Sequence, residues 1–389
     1  MGDHRPMHIL ATAALGTVEL LEAECRQLGL DVLGADRDGV HLDLGWPGVA
    51  TALVQLRVAT RLLLRLGDFA AHNAEKLYDG ARRLPWTEWL DADATFAIFA
   101  SGDLMPSTEA QRGLDHHIFV AQKVKDALCD TLRSRYGRRP NVDADDPDVR
   151  ITVRGRRGRW SVWLDLAGPP LHERGLRLRQ VAAPLKETLA ATVATLAGWQ
   201  APQPLRDPFC GSGTLIIEAV NLGLGIAPGC TRWFGVERWP LHGKRAQAEL
   251  DAAREHAIRH AKAVLAAPRH LDIEASDTDP RAVAATRENL RAAGLEGVVR
   301  VVQRDARDLP LLPAGGVIVG NPPYGVRLQD DDVLGLYRDI GQRWQRQPGL
   351  TVALLCGNTG FVQAFGWPVE MAKELRNGPL EVGLFRYRS

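Results

Sequence analysis

Residues 207–220, Asp207-Pro-Phe-Cys-Gly-Ser-Gly-Thr-Leu-Ile-Ile-Glu-Ala-Val220, run from the end of a strand through a glycine-rich turn into a helix. Gly211 and Gly213 let the backbone pass close to a ligand, and the helix that follows offers free N–H groups and a positive dipole end. A bare GxG also fits an ordinary tight turn, so its meaning rests on its surroundings. Downstream, helices alternate with short β-branched runs at Val298–Val302, Val317–Val319 and Thr351–Leu355. That alternation predicts an α/β unit: a parallel sheet with helices on both faces.

Three further strand ends carry chemistry. The run IEASDTDP ends its strand in Asp277, with Asp279 as the N-cap and Pro280 as the first residue of the next helix. A carboxylate at that tip is placed to accept both ribose hydroxyls of an adenosine-containing cofactor, or else serves as a second cap. Asp305, in VVQRDARDL, follows the third strand, where a carboxylate can accept from an adenine amino group; alone it also reads as a solvated loop acid. The fourth strand, GGVIVG, enters Asn321-Pro322-Pro323-Tyr324-Gly325. Two prolines cannot continue a ladder, so they fix a rigid turn at the carboxyl edge. The Asn321 side-chain carbonyl and the Pro322 backbone carbonyl can each accept from an exocyclic amino group, and Tyr324 offers a face for a flipped base. Holding both amino hydrogens draws the nitrogen out of conjugation and aims its lone pair at a methyl donor.

The N-terminal half has another character. A strand at His8–Thr12 is followed by a helix with Leu21, Cys25 and Leu28 on its apolar side and Glu19, Glu22 and Glu24 near its start. A strand around Val40, Leu42 and Leu44 and a helix from Val49 to Leu62 complete an α+β unit over residues 1–65. A second unit, 66–170, contains a helix with the stripe Ala121, Val124, Leu128 and Leu132, stopped by Gly137 and Pro140. In VRITVRG, alternation puts Val149, Ile151 and Val153 on one face and Arg150, Thr152 and Arg154 on the other. A turn carrying Arg156, Arg157 and Arg159 leads to a partner strand with Trp160, Val162, Leu164 and Leu166 inward, a hairpin with an arginine-rich tip. Nine arginines from 133 to 159, Arg138 and Arg139 among them, stand against four aspartates, a local excess of +5 that suits phosphates.

Composition bounds the reading. The 389 residues imply two or three domains, and 45% hydrophobic with 24% charged residues excludes disordered and small disulfide-built classes. The formal charge of +1 gives no global sign of nucleic-acid binding. No apolar run approaches the roughly 18 residues of a membrane span, and the N-terminus lacks a signal-peptide core, so a cytoplasmic protein with no membrane partner is expected. Five scattered cysteines form no CxxC pair or metal-ligand cluster, so reduced thiols and no metal are expected.

In their order along the chain these strings resemble class I S-adenosylmethionine-dependent methyltransferases of the exocyclic-amine type. Further segments extend the likeness: LHERGLR (Leu171–Arg177), APLKETLAA (Ala183–Ala191), APG with FGVERWP (Phe234–Pro240), and NGPLE (Asn377–Glu381). Together they resemble the bacterial 23S rRNA guanine-N2 methyltransferase family of the RlmL type over nearly the whole chain. The resemblance implies a Rossmann-like methyltransferase domain at 171–389, with a helical insertion near 222–268, behind a ferredoxin-like domain (1–65) and a THUMP RNA-binding domain (66–170). It implies S-adenosylmethionine held by Asp207, Phe209, Gly211, Gly213, Thr214, Asp277, Asp305 and Asn321. It places the target guanine at Asn321, Pro322, Pro323 and Tyr324, and RNA at Arg138, Arg139, Arg150, Arg154, Arg156 and Arg157. The implied partner of this monomeric enzyme is 23S rRNA, free or within an assembling large subunit. Sixty-four residues separate Gly213 from Asp277, against about 20 in a compact dinucleotide fold, hence the insertion. Some family members carry a second, fused methyltransferase domain; this chain stops soon after the first, so one modification is expected.

Rival chemistries share parts of the pattern. Cys210 and Cys356 would suit methyl transfer to a pyrimidine C5, which does not call for Asn-Pro-Pro-Tyr. DNA adenine-N6 and protein glutamine methyltransferases share that tetrapeptide but not the RNA-binding front end. A tRNA guanine-N2 methyltransferase shares the whole plan, and a silent RNA-binding scaffold would leave the cofactor residues without a purpose.

Overall fold

The computed structural model describes residues 6–103, 114–175, 185–267, 271–325 and 330–389; of the segments quoted above, residues 176–177 and 183–184 lie outside these. The described strands build two sheets. The first contains β1 (Met7–Thr12), β2 (Val32–Asp36), β3 (Gly39–Leu44), β4 (Arg61–Ala70), β5 (Thr95–Asp103), β6 (Asn141–Val142), β7 (Val149–Arg156) and β8 (Arg159–Asp165), in the order β2-β3-β1-β4-β8-β7-β5-β6. β4 joins its halves, pairing antiparallel with β1 (Leu62 opposite Ala11) and with β8 (Leu64 opposite Leu164). Residues 65 and 66 therefore lie within one strand.

Helices α1 (Val18–Gln27), α2 (Trp46–Gln55), α3 (Ala74–Arg82), α4 (Trp86–Trp89) and α5 (His117–Tyr136) cover one face of this sheet. The alternation read in VRITVRG holds: Val149, Ile151 and Val153 are buried there, with Val162 and Leu164 of β8. On α5 the buried stripe is Val120, Val124, Leu128 and Leu132, with Val120 in place of Ala121, and Gly137 ends the helix in the left-handed region at φ 75°. The helix expected to reach Leu62 stops at Gln55. Its end is set by the Glu24 carboxylate, which accepts the backbone N–H groups of Arg57 (2.8 Å) and Val58 (3.2 Å). Leu62, Leu63 and Leu64 are buried on alternating faces of the central strand, so they show no alternation and imitate a helix in sequence.

The second sheet contains β9 (Leu205–Asp207), β10 (Ile273–Asp277), β11 (Arg300–Gln303), β12 (Val317–Gly320), β13 (Thr351–Cys356), β14 (Met371–Asn377) and β15 (Leu380–Arg388), in the order β11-β10-β9-β12-β13-β15-β14. The first five are parallel, and β15 runs antiparallel to both neighbours. Both faces are packed. Leu205, Val319 and Ala353 share a core with α6 (Glu187–Ala197) and α7 (Thr214–Gly223). Ile318, Val352 and Leu354 meet Tyr337, Ile340, Trp344 and Phe361 from α10 (Asp330–Trp344) and α11 (Phe361–Phe365). Burial on both faces explains the unbroken apolar runs. Helix α8 (Gly243–Ala266) and the short turn at Gly235–Arg238 stand apart from this sheet, and Phe234, Trp239, Ala246 and Leu250 pack into the core of the first. Helix α9 (Pro280–Ala292) starts, as read, with Asp279 as its N-cap.

A buried polar joint links the two halves. Arg174, 3% exposed, donates to Glu218 of α7 (3.3 Å), to the Arg57 carbonyl (2.6 Å) and to the Leu171 carbonyl. Arg57 in turn donates to the carbonyls of Ile226 (2.6 Å) and Asn221 (3.3 Å). Removing one partner strands a buried charge, so Arg174→Ala is expected to cost about 3–5 kcal/mol in denaturant unfolding. By contrast, Arg26→Ala, which opens the solvent-facing pair with Glu22 (2.7 Å), is expected to cost less than about 1 kcal/mol.

Candidate active site

β9 and β12 are neighbours whose connections leave to opposite sides, which opens a crevice at the carboxyl edge of the sheet. Asp207, Asp277 and Asn321 all emerge at that edge. The glycine turn is tied to the second strand: the Gly211 N–H donates to Asp277 Oδ2 and the Asp279 N–H to its Oδ1, both at 3.0 Å. Gly211 and Gly213 have φ of 54° and 86°, which a side chain would strain. A Cβ at Gly213 would also stand 3.1 Å from Thr286. From α9, Thr286 donates to the Gly211 carbonyl (2.9 Å) and Asn289 to the Ser212 carbonyl (2.8 Å). The sequence reading missed both, although two polar side chains on the buried face of an amphipathic helix were a usable signal.

Asp207 is 1% exposed; its Oδ1 accepts the Phe209 N–H (3.2 Å), and its Oδ2 has no hydrogen bond among the described residues. Burial pushes this carboxyl up to about 8. An orphaned carboxylate oxygen beside a glycine cradle fits the ammonium of an amino-acid-bearing cofactor. Asp277 keeps lone pairs for hydroxyls beyond its two backbone bonds. Thr214 opens α7 and is buried, and the Phe209 ring lies against Gly320, where a Cβ would stand 3.1 Å away. Asp305 caps the turn at Ala306–Asp308, accepting from the Arg307 backbone N–H (2.9 Å) and guanidinium (2.7 Å). Arg307 therefore holds Asp305 below the usual carboxylate range, and a ligand amino group would have to share it.

The turn after β12 is clamped from two sides. Tyr337 of α10 donates its hydroxyl to the Pro323 carbonyl, and Asn358, just past β13, donates to the Tyr324 carbonyl at 3.1 Å. The Pro322 carbonyl has no donor among the described residues. The Tyr324 hydroxyl donates to Asn321 Oδ1, and its ring lies where a Cβ at Gly357 would come within 3.0 Å. Burial, then the neighbouring Cys356, hold the Tyr324 hydroxyl above the ordinary tyrosine range, with Asn377 at the end of β14 opposing them. Tyr337 and Asn358 carry no local sequence signal, since each reaches the turn only through the fold. Cys210 and Cys356 are 5% and 2% exposed, and burial pushes both thiols up, which disfavours the thiolate a covalent mechanism needs.

The six arginines expected to meet RNA do not act as one patch. Arg138 pairs with Asp93 at 2.5 Å, and Arg139 lines a hollow between α3 and α5 on the helix-covered side. Arg150 stacks on Phe99 (3.7 Å to the ring centre), and Arg154 lies 3.7 Å from Asp38 on the open side of the sheet. Arg156 and Arg157 form the hairpin tip, with Arg157 at φ 49°. In space, Asp93 and Asp38 draw on Arg138 and Arg154, whereas Arg238, from outside the stretch, offsets Asp146 (2.6 Å) and Asp148 (3.1 Å).

Asp207 gives a prediction independent of activity. Its carboxyl is raised from the unfolded value, so the folded protein retains a proton that the unfolded chain releases. That stabilisation is complete below the ordinary carboxylate value of 3.8 and is lost as pH rises towards about 8. Asp207→Asn keeps an acceptor for Phe209, and its stability, compared with the wild type between pH 5 and pH 8 by urea unfolding, is expected to lack this decline.

Comparison with known proteins completes the picture. Family models match an RlmL ferredoxin-like domain at residues 8–63, a THUMP domain at 71–165 and an RMKL-like methyltransferase domain at 174–384. The ribosomal RNA large subunit methyltransferase K/L of Syntrophotalea carbinolica is 34% identical over 394 residues, covering 98% of this chain and 53% of its own length. This chain thus spans about half the length of the curated relatives it matches. The crystal structure of SMU.472 complexed with SAH superposes with a TM-score of 0.87 at 30% identity, covering 99% of this chain and 98% of that one. A Listeria monocytogenes structure, described as a predicted N6-adenine-specific DNA methylase, gives 0.86 at 29% identity, covering 98% and 96%. With more than half its length matched by the methyltransferase model, behind the ferredoxin-like and THUMP segments, the chain belongs to the RMKL-like methyltransferase family.

Proposed function

We propose that the protein methylates the exocyclic N2 amine of a guanosine in 23S rRNA, with S-adenosylmethionine as donor. The observation that carries this reading is the turn after β12. Two of its carbonyls are already satisfied by Tyr337 and Asn358, the Pro322 carbonyl is not, and Asn321 Oδ1 retains a second lone pair beside its bond from Tyr324. Two acceptors on a rigid turn match the two hydrogens of an exocyclic amine.

Asp207 would neutralise the cofactor ammonium, Gly211 and Gly213 would pass its amino-acid chain, and Asp277 would accept from its ribose. Asp305 would accept from its adenine by sharing a lone pair with Arg307. When bound, S-adenosylmethionine supplies a methyl group on a sulfonium, an activated leaving group. Asn321 and Pro322 then hold the amine so that its lone pair faces that methyl, and Tyr324 stacks on the base. After transfer the amine sheds its proton to water, so no strong general base is needed. RNA as substrate is supported by the THUMP segment and by the rRNA named in the relatives; the Glu237–Pro240 and Asn377–Glu381 segments, by their resemblance to the rRNA enzymes, lean towards rRNA over tRNA.

Transfer of radiolabelled methyl into purified 23S rRNA, tRNA and duplex DNA tests the reading, with label expected in 23S rRNA alone; label in tRNA or DNA would reassign the substrate. Asn321→Ala is expected to abolish transfer while calorimetric affinity for S-adenosylmethionine stays within about twofold, because its role is positioning of the amine. Asp277→Ala should instead weaken cofactor affinity by about tenfold or more, the worth of a charge-assisted hydrogen bond.

A further inference from the structure

The Asn377–Glu381 segment forms the tip of the hairpin between β14 and β15. Asn377 stands opposite Leu380, so Gly378 and Pro379 alone make the turn. Gly378 has φ 62°, and a proline cannot follow it into positive φ, which leaves a type II′ turn with its glycine first. Along β14, Met371, Leu375 and Asn377 share one face, and the first two pack into the core that also takes the Tyr324 ring. Asn377 ends that row half-buried, beside Tyr324. Contacts of β14 with Gly16 and Glu19 of the first unit brace the hairpin from outside.

Chemistry fixes how the Asn377 amide is turned. The Tyr324 hydroxyl spends its proton on Asn321 Oδ1, so towards any other neighbour it can only accept. Asn377 reaches that hydroxyl as a donor, which opposes the upward effect of burial on it. Its Nδ2 therefore faces Tyr324, and its Oδ1 turns the other way as an acceptor with no hydrogen to give. Asn377, the Tyr324 hydroxyl and Asn321 form one row of polar groups. That row ends on the oxygen that takes the substrate amine in the proposed reaction.

On the Watson–Crick edge of guanine, N1–H lies beside the 2-amine, so a second acceptor near Asn321 meets a donor. Adenine offers the reverse: beside its 6-amine lies a bare N1, which would face the Asn377 oxygen lone pair to lone pair. We infer that Asn377 is the residue that selects guanine, its Oδ1 accepting from N1–H while Asn321 and Pro322 hold the amine. The inference rests on guanine N2 being the target, as proposed above, and adds the group that reads the rest of the base. A site built around such a bond rejects a competitor that cannot make it, because the polar group is left unpaired.

Methyl transfer by the full chain to 23S rRNA carrying either guanosine or 2,6-diaminopurine riboside at the methylated position tests it. The analogue keeps the 2-amine but has a bare N1. Wild type is expected to prefer guanosine by about a hundredfold or more in kcat/KM, and Asn377→Ala to reduce that preference to about threefold or less. Calorimetric affinity of the variant for S-adenosylmethionine should stay within about twofold of wild type, since Asn377 meets the base and not the donor. Asn377→Asp keeps an acceptor but loses the donor to Tyr324, so the preference should survive while kcat falls on both substrates. A merely structural role would slow both substrates alike. A preference unchanged in Asn377→Ala, or absent in wild type, would overturn the assignment. Where Asn377→Ala transfers too slowly for the comparison, Asn377→Asp decides: a retained preference with lowered kcat supports the assignment and a lost preference overturns it. Failure of the reaction is separable. If wild type methylates no guanosine in 23S rRNA, the proposed reaction falls and Asn377 with it; if guanosine is methylated but the preference ignores Asn377, the reaction stands and the assignment alone falls.

Discussion

Tyr337 and Asn358 hold the carbonyls of Pro323 and Tyr324, and the rest of the site takes its shape from that clamp. Prolines remove the N–H groups that would otherwise tie the turn to a neighbouring strand, so its carbonyls need donors from outside the sheet. Tyr337 supplies one from α10 and Asn358 the other from the end of β13, two elements that meet only because β13 packs beside β12 in the parallel sheet. The Pro322 carbonyl and the amide oxygen of Asn321 are what the clamp leaves for a ligand. On the other side of the crevice, Asp277 and α9 hold the glycine turn from its own backbone groups. Both walls are thus fixed before any ligand arrives, which is what positioning a weak nucleophile demands.

The N-terminal half is held against this site at more than one place. Glu218 lies on the helix that begins at the glycine turn, and its partner Arg174 also binds the backbone of Arg57. Elsewhere, Gly16 sits so close to the Glu374 carbonyl that a Cβ would stand 2.6 Å away, and Lys373 pairs with Glu19 at 3.1 Å. β14, which carries Lys373 and Glu374, ends in the hairpin turn that reaches Tyr324. Helix α8 contributes to the core of the first sheet although its chain neighbours belong to the second.

What was legible in the sequence follows from how locally each feature is determined. Gly211, Gly213, Asp279 and Pro280 answer to backbone geometry within a few residues, and all stand where the pattern put them. The strands of the second sheet were visible because burial on both faces leaves unbroken apolar runs. The same signature misled at Leu62–Leu64, where a central strand of the first sheet looked like the continuation of α2. Tyr337 and Asn358 were invisible, since their partners lie 14 and 34 residues away and nothing near them in the chain marks the contact. The arginine count overstated the basic patch for the same reason: Asp93 and Asp38, which pair with Arg138 and Arg154, lie far from them in the chain.

On the proposed reading, the turn after β12 presents a guanine amine, and not another nucleophile, to the methyl donor. Digestion of 23S rRNA methylated in vitro with deuterated S-adenosylmethionine, followed by nucleoside mass spectrometry, tests it most directly. The label is expected as N2-methylguanosine; label recovered as N6-methyladenosine or as a C5-methylated pyrimidine would place the nucleophile elsewhere.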